Sequence, residues 1–417
     1  MSDEQIFEIE MVDMAHGGSA LGRHDGHIVF IPYTIPGEIV QAQITGSKGR
    51  VRFAEGLQLI DASADRVFPR CPHFGPSRCG RCQWQHIAAH AQPLIKQDVL
   101  ADQLARIGGF DDADVRPITP APAQWGYNQY MVMQVAPEGQ LGFPAAPPLN
   151  EGVMPVDECH IMDPALLDLI ERLDIDFTGV QRIQVQRDSD GAFMLILWVN
   201  DENDAPELAT DMPMSVNLIL PDNEPVNLIG DASSRFTVGP HTFRVTVGSA
   251  FRANVAAVDT LANLVMHALE LPDEAAVLDL YAGVGVFSAY IAPHASIVTM
   301  VESFPPAATD AEHNLPVDNV DIIEGTVEDV LTSIDGDYDA AVLDPPSEGL
   351  SVEAIDALAD FGVPRLVYVS SDPATLARDV KRLARHGYTL GPVYPLDLNP
   401  QTYYVDAVAV LTRINVP

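Results

Sequence analysis

The sequence predicts an α/β protein of three modules: a small N-terminal β-barrel, a mixed central domain organised around cysteines, and a C-terminal doubly wound sheet. Three observations carry this. Short alternating segments broken by glycines fill residues 5–61. Three of the four cysteines fall between Cys71 and Cys82. From Val277 onward, apolar runs of strand length recur with helical stretches between most of them, which is the pattern of an open α/β sheet.

Taken in order, Phe7-Glu-Ile-Glu-Met11 alternates, His16-Gly-Gly turns, Ile28–Ile31 is a second run, and Pro36-Gly37 turns again before Glu38–Ile44 and Val51–Ile60. Regular short strands with Gly and Pro turns favour a barrel. An amphipathic helix is expected over 92–107. Central strands are expected at Tyr130–Val135, Ile183–Val185 and Phe193–Val199. Seven C-terminal strands are expected at Val277–Leu280, Ile297–Val301, Val320–Ile323, Ala340–Leu343, Leu366–Val369, Tyr388–Val393 and Val405–Leu411. The module boundaries fall at 1–62, 63–240 and 241–417.

The chain has 417 residues and a formal charge of −36. No apolar run approaches the roughly 18 residues of a membrane helix, and the acidic start Met1-Ser-Asp-Glu lacks the apolar stretch of a leader. A cytoplasmic monomer without membrane contact is the expectation. So acidic a chain repels nucleic acid at long range. Residues 46–106 are the exception, with nine basic and five acidic residues, and they offer a local contact for a polyanion.

The cysteines read Cys71-x7-Cys79-Gly-Arg-Cys82, with Cys159 remote. Three close thiolates and one distant one suit a [4Fe–4S] cube, and a Cys₄ zinc site uses similar residues. Leu278-Asp-Leu-Tyr-Ala-Gly-Val-Gly285 follows a strand and opens a helix. Gly283 and Gly285 permit a tight turn and close ligand approach. Position 288 is Ser, so the third glycine of a dinucleotide loop is missing. Glu302 ends the next strand, where a carboxylate can accept ribose hydroxyls. An adenosine ligand without pyrophosphate fits both features, and S-adenosylmethionine is the commonest. Asp344-Pro-Pro and Ser370-Ser-Asp-Pro373 follow the fourth and fifth strands, and Asp406 lies on the last. All three belong to the sheet edge where such folds bind ligands.

These residues together resemble the RNA uracil-C5 methyltransferases that carry a TRAM domain and an iron–sulfur cluster. His16-Gly-Gly, Phe30-Ile-Pro and Pro36-Gly-Glu38 resemble the TRAM barrel. The cysteine pattern, with Trp125-Gly-Tyr127 and Asp157-Glu-Cys159, resembles the central domain. Asp279–Gly285, Asp344-Pro-Pro and Pro373-Ala-Thr-Leu-Ala-Arg378 resemble the methyltransferase domain. The resemblance implies an OB-like barrel that binds RNA (tRNA or rRNA) and a Rossmann-like methyltransferase sheet. It implies S-adenosylmethionine held by Arg252, Asp279, Tyr281, Gly283, Gly285, Glu302 and Asp344, and a cluster held by Cys71, Cys79, Cys82 and Cys159.

In that family a cysteine thiolate adds to uracil C6, C5 takes the methyl group, and a Glu removes the C5 proton. Here Ser371 stands where the nucleophilic cysteine is expected, and the four cysteines are consumed by the cluster positions. Asp406 stands for the Glu, Arg252 for a Gln near the cofactor, and Ser347 for an Arg after Asp344-Pro-Pro. Ser371, Asp406 and Asp344 are therefore the catalytic candidates. Serine needs a base within reach, and Asp372 and Asp344 are the local ones. Two functions are expected: an RNA methyltransferase acting on uracil or, by a modified route, on another base; or a catalytically silent RNA-binding protein that keeps the fold and the cluster. An unrelated small-molecule methyltransferase would leave the barrel without a purpose.

Overall fold

In the computed structural model, which describes residues 6–147, 152–201 and 213–413, the first strands are β1 (Ile6–Met14), β2 (Ala20–His24), β3 (His27–Ile31), β4 (Ile39–Lys48) and β5 (Val51–Asp61). The segment Met1-Ser-Asp-Glu lies outside the described residues. The five strands close into a barrel in the order β1-β2-β3-β5-β4. The alternation in β1 sends Phe7, Ile9 and Met11 inward to meet Val29, Ile31, Val40 and Ala42. Gly22 faces β1 so closely that a Cβ there would sit 2.3 Å from the Glu10 carbonyl oxygen. Only glycine permits that approach.

The barrel does not stand alone. Trp84 and Ile87, from the cysteine segment, join its core. Glu38 is fully buried and takes a two-pronged pair from Arg66, Nε at 2.5 Å and Nη2 at 2.8 Å. Such a fork holds one geometry where a single contact would swivel.

The helix expected over 92–107 forms as α1 (Ala91–Gln103), followed by a wider turn, Leu104–Gly108, that ends on left-handed Gly109 (φ 82°). Leu100 and Leu104 leave the central domain and pack into the C-terminal core. The central domain continues as β6 (Tyr130–Val135), β7 (Leu141–Pro144), β8 (Val153–Pro155), α2 (Pro164–Ile170), β9 (Val180–Arg187), β10 (Phe193–Val199), β11 (Met214–Ile219) and β12 (Pro225–Ile229). These strands form one mixed sheet in the order β12-β11-β10-β9-β6-β7-β8. The three strands expected from sequence are its middle. The hairpin β13 (Ser233–Val238) and β14 (His241–Thr246) follows and spans position 240. Its Phe236, Val238, Phe243 and Val245 are buried in the C-terminal core.

The C-terminal domain runs α3 (Val255–Leu269), β15 (Ala275–Leu280), α4 (Val286–Ile291), β16 (Ala295–Glu302), α5 (Pro305–Asn314), β17 (Val320–Glu324), α6 (Val327–Ser333), β18 (Ala340–Leu343), α7 (Val352–Phe361), β19 (Arg365–Ser370), α8 (Pro373–Arg385), β20 (Tyr388–Leu396) and β21 (Asp406–Arg413). The seven strands order as β17-β16-β15-β18-β19-β21-β20. The first five are parallel, and β21 runs against both β19 and β20. One apolar layer holds α3, α4 and α5 on one face, and a second holds α6, α7 and α8 on the other. Strand order reverses at β15 and β18, so a ligand crevice opens at their carboxyl ends. No helix among the described residues is long and apolar enough to cross a membrane.

Candidate active site

The crevice begins at the turn after β15. Asp279 is fully buried and accepts the backbone N–H of Ser288 at 3.0 Å and its hydroxyl at 2.6 Å, both on Oδ2. Its Oδ1 has no partner. Burial pushes its pKa up to about 7, against the pull of Ser288. Asp279 thus anchors the start of α4 and keeps one oxygen in reserve. Gly283 and Gly285 take left-handed backbone (φ 57° and 87°). A Cβ on Gly285 would meet Leu315 at 2.7 Å, while one on Gly283 would meet nothing within 4 Å. The second glycine is needed for packing, and the first leaves room for a ligand.

Glu302 binds this loop directly. Its carboxylate accepts Gly283 N–H at 2.8 Å and Phe304 N–H at 2.7 Å. Each oxygen keeps a lone pair for a hydroxyl. Tyr281 also has left-handed backbone (φ 61°), and its ring packs into the layer of α6, α7 and α8. The structure therefore brings Asp279, Gly283, Gly285 and Glu302 together and turns the Tyr281 ring to the other side of the sheet.

The second half of the site is a charge cluster. Arg252 makes a bidentate pair with Asp344, Nη1 to Oδ2 at 2.8 Å and Nη2 to Oδ1 at 3.0 Å. Its Nε lies 4.0 Å from Asp406 Oδ1. The Tyr130 hydroxyl donates to the Phe251 carbonyl at 2.5 Å and so fixes the segment that carries Arg252. Asp406 begins β21 and is only 3% exposed. Burial raises its pKa to about 6 despite Arg252 and Lys96. Such a carboxylate is charged at neutral pH yet close enough to neutrality to take a proton.

Behind Asp406 lies a pair that sequence reading did not reveal. Lys96 and Asp397 are both fully buried, with Nζ 2.5 Å from Oδ1. Lys96 also donates to the Asn399 carbonyl at 2.9 Å. No spacing signal exists for it, because the partners are 301 residues apart.

Ser371 is exposed just after β19. Among the described residues, none offers its hydroxyl a hydrogen bond. The two expected bases are engaged elsewhere. Asp344 is held by Arg252. Asp372 spends Oδ1 capping α8, accepting Ala374 N–H at 2.8 Å and Thr375 N–H at 2.9 Å, while Oδ2 meets His16 Nε2 at 3.1 Å. Burial opposes ionisation of Asp372, but His16 and the cap win and hold its pKa below the ordinary value. Both expectations are corrected on that ground. His16 itself belongs to the turn after β1 of the barrel, so that turn reaches the loop of Ser371 and Asp372.

The four cysteines converge on one small cavity, beside His73, Phe74 and Gln85. Burial pushes the Cys79 thiol up to about 12 and raises the other three as well. Among the described residues, no three His, Cys, Asp or Glu side chains are gathered in a metal-coordinating group. The four cysteines thus share one cavity without forming a coordinating group among the described residues.

A doubly wound sheet with this glycine loop, a carboxylate after the second strand and an Asp-Pro-Pro edge defines a class I methyltransferase domain. Residues 5–57 match the TRAM domain and residues 251–360 match the methyltransferase small domain. The chain is 32% identical to an RNA methyltransferase of Streptomyces avermitilis, over 97% of this chain and 98% of that one. It is 28% identical to a 23S rRNA (uracil(1939)-C(5))-methyltransferase of Shewanella sediminis, over 96% and 95%. Its fold is that of a Pyrococcus abyssi tRNA (uracil-54, C5)-methyltransferase solved with S-adenosyl-L-homocysteine, with a TM-score of 0.73, 21% identity, and 97% and 99% of the two chains covered. The chain belongs to the TRAM-domain RNA methyltransferases.

Proposed function

We propose that this chain methylates a base of tRNA or rRNA using S-adenosylmethionine, with Asp406 accepting the proton that the base gives up. The observation that carries this is the placement of Asp406, buried beside Arg252 and Asp344, with Asp344 itself tied by its backbone N–H to the Leu280 carbonyl at the end of β15. S-adenosylmethionine, when bound, supplies an electrophilic methyl group. Glu302 and the spare oxygen of Asp279 would hold its polar groups, the open space at Gly283 would admit it, and Asp344 with Arg252 would border it. Asp406 stays charged at neutral pH because Arg252 offsets part of its burial.

The reading departs from the uracil-C5 route at Ser371. A free thiol ionises near pH 8.5, so a few per cent is thiolate at neutrality. A serine hydroxyl needs a base, and Ser371 has none in reach. The supported route is transfer to a base that needs no covalent adduct. The test is methyl transfer from labelled S-adenosylmethionine to unmodified bulk RNA, with Ser371→Cys beside the wild type. Label in the wild type, on a base other than C5 of uracil, is the expected result. A silent wild type with an active Ser371→Cys instead supports the second reading, an RNA-binding protein with an intact scaffold, which the unpartnered Ser371 favours. Silence in both folded proteins sinks the methyl-transfer reading.

Cys71, Cys79, Cys82 and Cys159 would hold a [4Fe–4S] cluster, with zinc as the lesser alternative. Its role would be structural, since methyl transfer moves no electrons. Metal binding to such thiols releases their protons and adds its binding energy to the fold. Anaerobic reconstitution is expected to load about four irons per chain, and Cys159→Ser is expected to lose the metal and melt several degrees lower. Unchanged metal content and melting in Cys159→Ser would remove Cys159 from the site.

A further inference from the structure

Helix α5 links the glycine turn to the segment that carries Arg252. Its head follows Glu302 and Phe304, and its last residue is Asn314. The Asn314 side chain is spent on backbone. Its Nδ2 donates to the Val284 carbonyl at 3.0 Å and to the Arg244 carbonyl at 3.0 Å, while its Oδ1 accepts the Arg244 N–H at 2.8 Å. A side-chain amide has two N–H donors, so both go to the two segments it bridges. Val284 sits between Gly283 and Gly285. The residue after Asn314, Leu315, packs on Gly285. At the other end of the helix, Glu302 binds the N–H groups of Gly283 and Phe304. Head and tail of α5 are therefore both fixed to the turn.

Arg244 begins a strap, residues 244–251, that leads from β14 to Arg252. α5 holds the strap at two further points. Asp310 is fully buried and accepts the Thr246 N–H at 2.5 Å and the Thr246 hydroxyl at 2.7 Å. Phe304 packs on Gly248, where a Cβ would come within 3.1 Å of the ring. At the far end, the Tyr130 hydroxyl grips the Phe251 carbonyl, and the Phe251 ring stacks on Phe236 with centres 5.0 Å apart. The strap delivers Arg252, the residue that reaches both Asp344 and Asp406.

We infer that Asn314 is a positioning residue: through it the glycine turn, once occupied by S-adenosylmethionine, holds the strap and so sets Arg252 against Asp344 and Asp406. The inference rests on the S-adenosylmethionine reading above. It adds the route by which an occupied turn reaches the charge cluster. Coupling travels through contiguous packed and hydrogen-bonded groups, and Asn314 supplies the step from Val284 to Arg244. An Asn314 that only finished the helix would leave turn and strap to respond separately.

The experiment is amide hydrogen exchange of the full chain, with and without S-adenosylhomocysteine, read in peptides covering residues 281–286 and 244–252. Exchange reports local opening. In the wild type the ligand is expected to slow both segments by about three- to tenfold, the scale of one neutral hydrogen bond. Asn314→Asp keeps the shape and the acceptor but loses both donors. It is expected to keep the protection at 281–286 and lose it at 244–252, and Asn314→Ala to do the same. Protection that arose from direct contact of the ligand with the strap would survive both substitutions. With RNA present, the kcat of Asn314→Asp is expected to fall by about 10- to 100-fold, the cost of a small misplacement, while KM for S-adenosylmethionine stays near the wild-type value. Wild-type protection confined to 281–286, or protection at 244–252 that survives both substitutions, overturns the inference and leaves the methyltransferase reading standing. Failure of the wild type to bind S-adenosylhomocysteine overturns both. Coupled protection that Asn314→Asp abolishes, in a chain that methylates no RNA, upholds the inference and overturns methyl transfer alone.

Discussion

Asp406→Asn is expected to lower methyl transfer to RNA by about 10²–10⁴-fold, the usual contribution of a positioned general base, while S-adenosylmethionine affinity stays near the wild-type value. The variant keeps the size and the start of β21 but loses the proton acceptor. The pH profile supplies the second signature. With a pKa near 6, Asp406 is protonated below that value, so the rate is expected to fall about tenfold per pH unit on the acid side. Stability moves the other way. An unfolded aspartate ionises near 3.9, so between about pH 4 and 6 the folded state binds the proton and the unfolded state does not. This group's contribution to stability therefore falls as pH rises through that window. A rate that is flat from pH 7 to pH 5, or an Asp406→Asn variant with full activity, would remove Asp406 from the chemistry.

Lys96→Met is expected to be the most destabilising single change in the site region, at about 3–5 kcal/mol, because it leaves Asp397 as an uncompensated buried charge. Burial lowers the Lys96 pKa, and the Asp397 carboxylate opposes that shift. Removing both charges in Lys96→Met/Asp397→Asn is expected to recover most of the loss, as replacement of whole buried pairs often does. Denaturant unfolding of the three proteins measures this. The single variant also deprives Asp406 of a nearby cation, so any activity that remains is expected to have its acid limb shifted to higher pH. A single variant as stable as the wild type would show that water reaches Asp397 and that the pair is not sealed.

Where a pattern was local, the sequence displayed it. The seven strands of the C-terminal sheet, the turn at Gly283 and Gly285, and the carboxylates Asp279, Glu302 and Asp406 follow from apolar runs and what ends them. Edge strands were less visible. β8 spans three residues and β12 has three exposed residues of five, so neither shows alternation. Long-range pairs were invisible, because a sequence carries no sign that His16 meets Asp372 across 356 positions or that Lys96 meets Asp397. The helix α1 was recognisable from its period, but its docking on α8 was not, since an apolar stripe says that it is buried and not against what. The same blindness led Asp372 and Asp344 to be taken as free bases, when their charges are satisfied by partners far along the chain.

The reversal of β21 carries a consequence for assembly. In a parallel strand the carboxyl end reaches the crevice, but in β21 the first residue does, and that residue is Asp406. During synthesis the glycine turn and Asp344 emerge long before it. Domains fold as units during synthesis, so the crevice and, on the proposed reading, its proton acceptor are completed together, after the last strand of this sheet has emerged. On that reading activity waits for the insertion of β21 between β19 and β20, and methylation competence would report that the whole sheet has closed.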